Sequence, residues 1–301
     1  MREKQAKILK RSFWVSVVVA GLVALSTFGA ALAAEPGKGN RPPGFLGSPW
    51  LGPDGSALPF QTDQEILDFL LTAQPLSSKR VGEGINQTQK VLLEKDGLRM
   101  NAAFRRVSSE QQIPNPANPA ILVKHRDDCI FELAAYRLSR MLGLSLVPPT
   151  VVRKLEGKTG TLQAWVEKAM MEKQRRKKGI QPPDEWYWMS QMLTMHLFDN
   201  LVANTDRHQG NLLIDLRWEI WLIDHTQAFR RYKALHSPEQ VLYCDREVWK
   251  RLRSLDKETI QAEFKDLLRP PEIRALLKRR NLLLAQISKL IDQRGEDKVL
   301  F

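Results

Sequence analysis

The hydrophobic period of this sequence changes once along its length, and that change limits what the chain can fold into. Through the first half, apolar residues come in short extended runs separated by turn signals. Val91 to Leu93 and Asn101 to Val107 flank Lys95-Asp96-Gly97, and Val151 to Arg153 and Thr161 to Val166 flank a turn at Gly157 to Gly160. One amphipathic helix interrupts them. It opens at Asp127 or Asp128, carries Ile130, Leu133, Ala134, Leu138 and Leu142 near helical spacing, and stops at Gly143 ahead of Pro148-Pro149. A shorter helix, Thr62 to Ala73, precedes the strands, with Thr62 and Glu65 at capping-box spacing and Ile66, Leu67, Phe69 and Leu70 as its apolar face. From Asp184 onward, spacings of three and four take over, in Asp184 to Leu201, Lys257 to Leu268 and Pro271 to Asp292, with a short hairpin from Leu212 to Ile223. The pattern predicts an α+β fold in two parts: a small β-rich lobe over residues 61–166 and a mainly helical lobe over residues 167–301.

The N-terminal residues read as a targeting segment. Arg2, Lys4, Lys7, Lys10 and Arg11 precede an uncharged stretch from Ser12 to Ala34 that closes on Ala31-Leu32-Ala33, a pattern a signal peptidase can cut. The same stretch is long enough to serve as an uncleaved membrane anchor. In both readings, residues 35–301 lie outside the cytosol. Residues 35–60 hold six Gly and six Pro with little apolar periodicity and are expected to form a flexible tether. Only two cysteines, Cys129 and Cys244, are present, which excludes a disulfide scaffold and a four-thiolate zinc site and leaves one disulfide open. A formal charge of +12 suits a phosphorylated ligand, acidic lipid or nucleic acid. The basic residues are not interleaved with aromatics and no nucleic-acid motif is present, so nucleic acid is the least expected of these partners.

The densest chemistry lies in Phe198 to Asp215, followed by Trp221-Leu222-Ile223-Asp224-His225. Here a helix runs into a polar loop, the loop into an apolar strand, and a second strand ends on an acid. Paired short strands bring the residues at their ends side by side, so Asp206, Asn211 and Asp224 should converge. An acid facing an acceptor hydroxyl, with an amide and a carboxylate holding a metal against phosphates, is the set that phosphoryl transfer needs.

Asp206-Arg207-His208-Gln209-Gly210-Asn211, with Ile223-Asp224-His225 following, resembles the D-R-H-x-x-N loop and metal-binding aspartate of the phosphatidylinositol 3- and 4-kinase-like and HipA-like kinases, and is similar to the secreted Golgi kinases. The resemblance covers roughly Arg80 to Phe229 and implies a two-lobed protein-kinase-like fold using ATP with Mg²⁺ or Mn²⁺. It implies that Asp206 is the catalytic acid or base, that Asn211 and Asp224 are metal ligands, and that Val81 to Asn86, with Gly82 and Gly84, covers the phosphates. It places Glu132 as the helix acid that braces the phosphate-binding cation, and Trp165 and Val166 at the adenine-lining hinge. Arg207 and His208 would orient the loop. The sequence departs from the pattern where a lysine is expected: Arg105 stands there, with Lys124 as second choice. His225-Thr226 replaces the Phe-Gly that often follows the metal aspartate.

Three functions are compatible with this set: an exported phosphotransferase acting on a protein, sugar or lipid acceptor, a non-catalytic kinase-like binding module, and nucleotidyl transfer on the same fold. Other conspicuous residues have plainer readings. His196 on its apolar helix reads as a core histidine, Trp186, Tyr187 and Trp188 as packing residues, and the basic run Lys173 to Lys178 as a solvated loop.

Overall fold

A computed structural model describes residues 50–81, 88–106, 108–115 and 118–301. The targeting segment and the Gly82–Gly84 turn lie outside the described residues. The chain begins with α1 (Asp63–Thr72), capped by Thr62, whose hydroxyl accepts from the Glu65 amide while the Glu65 carboxylate accepts from Thr62. Strands β1 (Gln74–Arg80), β2 (Gln89–Lys95) and β3 (Leu98–Arg105) follow. Asp96 and Gly97 join β2 to β3 with φ of 52° and 76°, the pair of positive values that a two-residue turn between right-twisted strands requires. After β4 (Ser108–Asn115) and β5 (Asn118–Asp128) comes α2 (Ile130–Met141), and then β6 (Thr150–Leu155) and β7 (Lys158–Ala164). β1, β2, β3, β7 and β6 form one antiparallel sheet in that order.

Alternation divides this sheet cleanly. Val91, Leu93, Met100, Ala102, Phe104, Leu162 and Ala164 face a core shared with Ile66, Phe69 and Leu70 of α1. Their neighbours Lys90, Asn101, Ala103, Arg105, Thr161 and Gln163 therefore face the other way, towards α2 and the space between the lobes. Gly160 on β7 lies against the Arg105 backbone, and a Cβ there would collide with the Arg105 carbonyl. The absence of a side chain at Gly160 lets β3 and β7 close beside Arg105.

The second lobe holds β8 (Met170–Met171), α3 (Glu172–Lys177), α4 (Glu185–Val202), β9 (Leu212–Ile214), β10 (Ile220–Leu222), α5 (Arg246–Ser254), α6 (Lys257–Phe264) and α7 (Pro270–Arg294). β8, β9 and β10 make a small sheet, and the helices bury a core that includes Leu133, Ala134 and Leu138 of α2. α2 is thus packed into the second lobe's core while its Glu132 reaches the first lobe's sheet. Asp184 caps α4 by accepting from the Tyr187 amide at 2.8 Å. Among the described residues no helix is long and apolar enough to cross a membrane.

Several elements depart from the sequence expectation, among them the Gly157 to Gly160 turn, which is confined to Glu156 and Gly157 because Gly160 lies in β7. Residues 50–60, read as tether, are packed: Trp50 and Leu58 are buried, and the Trp50 ring lies 5.2 Å from that of Trp221. Apolar side chains spaced among Gly and Pro dock onto an existing core, although they make no periodic element of their own. The basic run is α3 rather than a loop, because buried Glu172 accepts from Arg175 at 2.6 and 2.9 Å and from Arg176 at 2.5 Å. β4 and β5 form a separate hairpin that the sequence from Ser108 to Asp128 did not announce, since β4 is polar and the apolar run Ala120 to Val123 in β5 does not alternate. Glu110 of the hairpin accepts from Arg231 and Arg269, and Arg126 donates to Glu272 and to the Leu267 carbonyl, tying it to the helical lobe. α5 also went unannounced. Cys129 and Cys244 are both free and buried, so the one disulfide left open is not formed.

Leu138, fully buried where α2 meets the helical lobe, should be expensive to truncate. Leu138→Ala should lower unfolding free energy by about 2–5 kcal/mol in urea titration, with little change in slope.

Candidate active site between the lobes

The site grows from the C-terminus of α4. The helix ends on Ala203 in left-handed conformation (φ 52°), and the Asn204 amide turns back to the Asp199 carbonyl at 2.9 Å. The loop that follows is built around Arg207. Its Nε and Nη2 donate to the two Asp199 carboxylate oxygens at 3.0 and 3.1 Å, and its Nη1 donates to the carbonyls of Asn211 and Ile223, both at 2.7 Å. One guanidinium therefore fixes the residues that start β9 and follow β10 relative to α4. The Ile223 amide donates to the Asn211 carbonyl at 3.2 Å, and Leu212 pairs with Leu222, so Asn211 and Asp224 lie at adjoining strand ends. Asn211 Nδ2 donates to the Asp206 carbonyl at 3.3 Å. Asp206 and Asn211 thus share one loop, and Asp224 follows the strand paired with the one Asn211 precedes. Asp206 is exposed and Asn211 buried.

Asp224 has φ of 62°, an unfavourable value for a non-glycine residue that persists only where the surroundings impose it. The surroundings here are the hydrogen bonds of the next residue. The His225 amide donates to Glu132 Oε1 at 3.0 Å, and its Nδ1 lies 3.1 Å from Glu132 Oε2. Arg207 Nη2 lies 2.9 Å from His225 Nε2. A guanidinium only donates and a carboxylate only accepts, so Nε2 must accept and Nδ1–H must donate, which fixes the tautomer. His225, fully buried, thus occupies the place of the familiar phenylalanine with a polar bridge instead of apolar packing.

Glu132 also pairs with Arg105, whose Nε donates to Thr88 Oγ1 at 3.1 Å. Burial alone would raise the Glu132 carboxyl, but the charge of Arg105 and the hydrogen bonds from His225 reverse this and bring it to about 2. Burial alone would likewise weaken the Arg105 cation. Glu132 first and Asp224 second hold it above its usual value. Arg105 therefore sits where the sequence placed it, at the cleft end of β3, bound by the helix acid and within reach of the Asp224 charge. Lys124 is exposed on the β4–β5 hairpin, which removes it as the phosphate-binding cation.

The hinge residues lie apart from this group. The Trp165 amide donates to the Asn101 carbonyl at 3.1 Å, and the Lys90 ammonium sits 4.3 Å from the Trp165 ring centroid. Lys90 pairs with Glu167 at 3.1 Å, and Asn101 Nδ2 donates to Glu167 at 2.6 Å. Val166 lines a cavity of about 130 Å³ with Trp50, Glu167, Leu216 and Trp221, none of which belongs to the Asp206–Asp224 group. Sequence reasoning missed Lys90, Asn101, Gln163, Glu167 and Asp199. Alternation in β2 and β3 carried the signal for the first two, since each lies beside a residue of the apolar face. His196 is half-buried, and burial lowers its pKa, in keeping with the plain packing reading.

Asn211 and Asp224 fit a divalent cation. The Asn211 amide nitrogen is used on Asp206, leaving Oδ1 as its acceptor atom, and oxygen donors are what Mg²⁺ and Mn²⁺ take.

No family model matches the sequence, and no curated protein matches it. Solved structures do match the fold. A structure of hydra Fam20 with sugar shares 14% identity over 79% of this chain and 91% of that one, with a TM-score of 0.59. The Golgi casein kinase matches at 14% identity over 79% of each chain with a TM-score of 0.57. Its form with Mn and ADP bound matches at 14% identity over 79% of this chain and 78% of that one, with a TM-score of 0.56. The chain thus has a two-lobed kinase-like fold, similar to that of these structures.

Because the Glu132 carboxyl is lowered to about 2 in the folded protein, it contributes stability that is complete above its unfolded value near 4.5 and is lost as pH falls towards 2. Acid titration of unfolding free energy should show a larger loss over that window for the parent than for Glu132→Gln, whose remaining loss comes from other lowered carboxyls such as Glu65 and Asp256.

Proposed function

We propose that the chain is an exported phosphotransferase that uses ATP with Mg²⁺ or Mn²⁺. The observation that carries this reading is the meeting of Asp206, Asn211 and Asp224 on one loop and strand pair, opposite an Arg105–Glu132 pair from the other lobe. Asp206, exposed at the loop, would accept the proton of the acceptor hydroxyl as it attacks. Arg105 would bind phosphate oxygens. Glu132 would hold Arg105 in place, and Arg207 would hold Asn211 and Asp224 in register. The cation held by Asn211 and Asp224 would neutralise charge developing on the phosphates. The Golgi casein kinase with Mn and ADP bound lends support, since a protein of this fold takes that cofactor pair. Export rests on the basic and apolar residues 1–34 with the Ala31-Leu32-Ala33 cut site, or an anchor in their place. Protein, sugar and lipid acceptors all suit a basic surface.

Arg105 favours a second reading, a binding module without turnover, because a guanidinium is larger than an ammonium and differently placed. Incubating the full chain with γ-labelled ATP, Mn²⁺ and acceptors of each class separates the two. Phosphate transfer or ATP hydrolysis should occur, and Asp206→Asn should reduce it by about 10²–10⁴-fold while leaving the thermal shift from metal–ATP intact. That shift corresponds to about 2.7 kcal/mol at a hundredfold excess over Kd and should disappear in Asp224→Asn. A shift without turnover would establish the binding module. A product heavier by AMP rather than phosphate would establish nucleotidyl transfer.

A further inference from the structure

β5 ends with His125, Arg126, Asp127 and Asp128 beside the segment that follows Asp224. Alternation puts His125 and Asp127 on one face of the strand. Both are more than nine-tenths buried, and each retains one polar atom with no hydrogen-bond partner, His125 Nε2 and Asp127 Oδ1. Asp128 is fully employed: it accepts from the Ile130 amide at 2.9 Å, from Ser108 at 3.0 Å and from Arg126 at 3.2 Å. Asp127 is not. Its other oxygen accepts the Thr226 hydroxyl, and the Asp128 amide donates to the Thr226 carbonyl at 2.9 Å, which fastens this end of β5 to the backbone two residues beyond Asp224.

A buried carboxylate oxygen without a donor is strongly unfavourable unless a cation or a proton joins it. Arg230, the nearby cation, is turned onto Gln227, donating to its carbonyl at 3.1 Å and its side-chain oxygen at 3.0 Å. Burial raises the Asp127 carboxyl, the Thr226 hydrogen bond partly offsets this, and the charge of Asp224 raises it further. The His125 end is the opposite case. There burial, with Arg230, Arg231 and Arg126 around the ring, pushes the imidazole down to about 4, so that end repels a cation. The negative end is fastened at Thr226, two residues beyond Asp224.

We propose that Asp127 is a further ligand of the divalent cation at Asp224, so that the ion-binding set is wider than the Asn211 and Asp224 pair. This rests on the reading of Asp224 as a metal ligand. Among the described residues no three His, Cys, Asp or Glu side chains converge on one point, so two carboxylates would leave the remaining positions to the Asn211 amide, water and phosphate oxygens. Mg²⁺ and Mn²⁺ sites of the phosphoryl-transfer type are ordinarily filled this way. The two carboxylates come from different parts of the fold, a strand that precedes α2 and the end of β10, so the ion would join the hairpin to the catalytic loop.

The test is a titration of the full chain with Mn²⁺, without nucleotide, following the free-ion signal by electron paramagnetic resonance. Asp127→Asn should weaken Mn²⁺ binding by about tenfold or more and abolish the rise in thermal midpoint that Mn²⁺ gives the parent. The metal-free Asp127→Asn protein should be at least as stable as the parent at neutral pH, because the uncompensated charge is gone. Asp127→Ser serves as a second variant should the first not fold. Parent-like Mn²⁺ affinity in a folded Asp127 variant, with binding lost in Asp224→Asn, would overturn this inference and leave the metal reading of Asp224 standing. Failure of the parent to bind Mn²⁺ would overturn both.

Discussion

The Glu132 carboxylate is buried between the lobes and receives Arg105 from the sheet, the amide and ring of His225 from the segment after β10, and a longer contact from Gln163 at 3.5 Å. A charge in that position is tolerated only because every approach to it is a donor. Its helix, α2, is buried on nearly all sides, so the carboxylate cannot move without disturbing both cores. What Glu132 holds is the site. His225 is adjacent to Asp224, and its hydrogen bonds accompany the left-handed backbone at Asp224.

From His225 the same chain of polar contacts continues to Arg207 and ends on Asp199 of α4. Arg207 serves five acceptor atoms on four residues with one planar head, a task a lysine's compact ammonium could not perform. The loop that carries Asp206 and Asn211 is therefore positioned by buried polar groups rather than by its own regular structure. This arrangement suits phosphoryl transfer, in which placement and electrostatics do most of the work. It also accounts for His225 where an apolar residue is familiar: a phenylalanine could pack there but could not join Glu132 to Arg207.

Much of the architecture was legible because it rests on periodicity. The β2–β3 hairpin, α2, α4 and α7 lie where alternation and helical spacing put them, with Asp128 rather than Asp127 making the helix-start hydrogen bond. The β4–β5 hairpin was not legible, because β4 is polar, the apolar run in β5 does not alternate, and Ile121 and Leu122 stay exposed instead of entering a core. Residues 50–60 misled for the opposite reason, since Trp50 and Leu58 are buried without any period. For the site, the sequence put Asn211 and Asp224 near the ends of paired strands and Arg105 and Glu132 on neighbouring elements, and the Asn211–Ile223 and Arg105–Glu132 contacts are present. The partners that hold these residues are distant in sequence, Asp199 with Arg207 and Glu132 with His225, and no local pattern records them. Gly82 and Gly84 lie outside the described residues.

Glu132 and Arg207 act on each other through His225, which contacts both. A double-mutant cycle with Glu132→Gln and Arg207→Lys, read by urea unfolding of the single and double variants, tests it most directly. The expected coupling energy is about 1 kcal/mol or more, as found for residues in one hydrogen-bonded network. Additivity within about 0.5 kcal/mol would contradict it, since that is how independent sites behave.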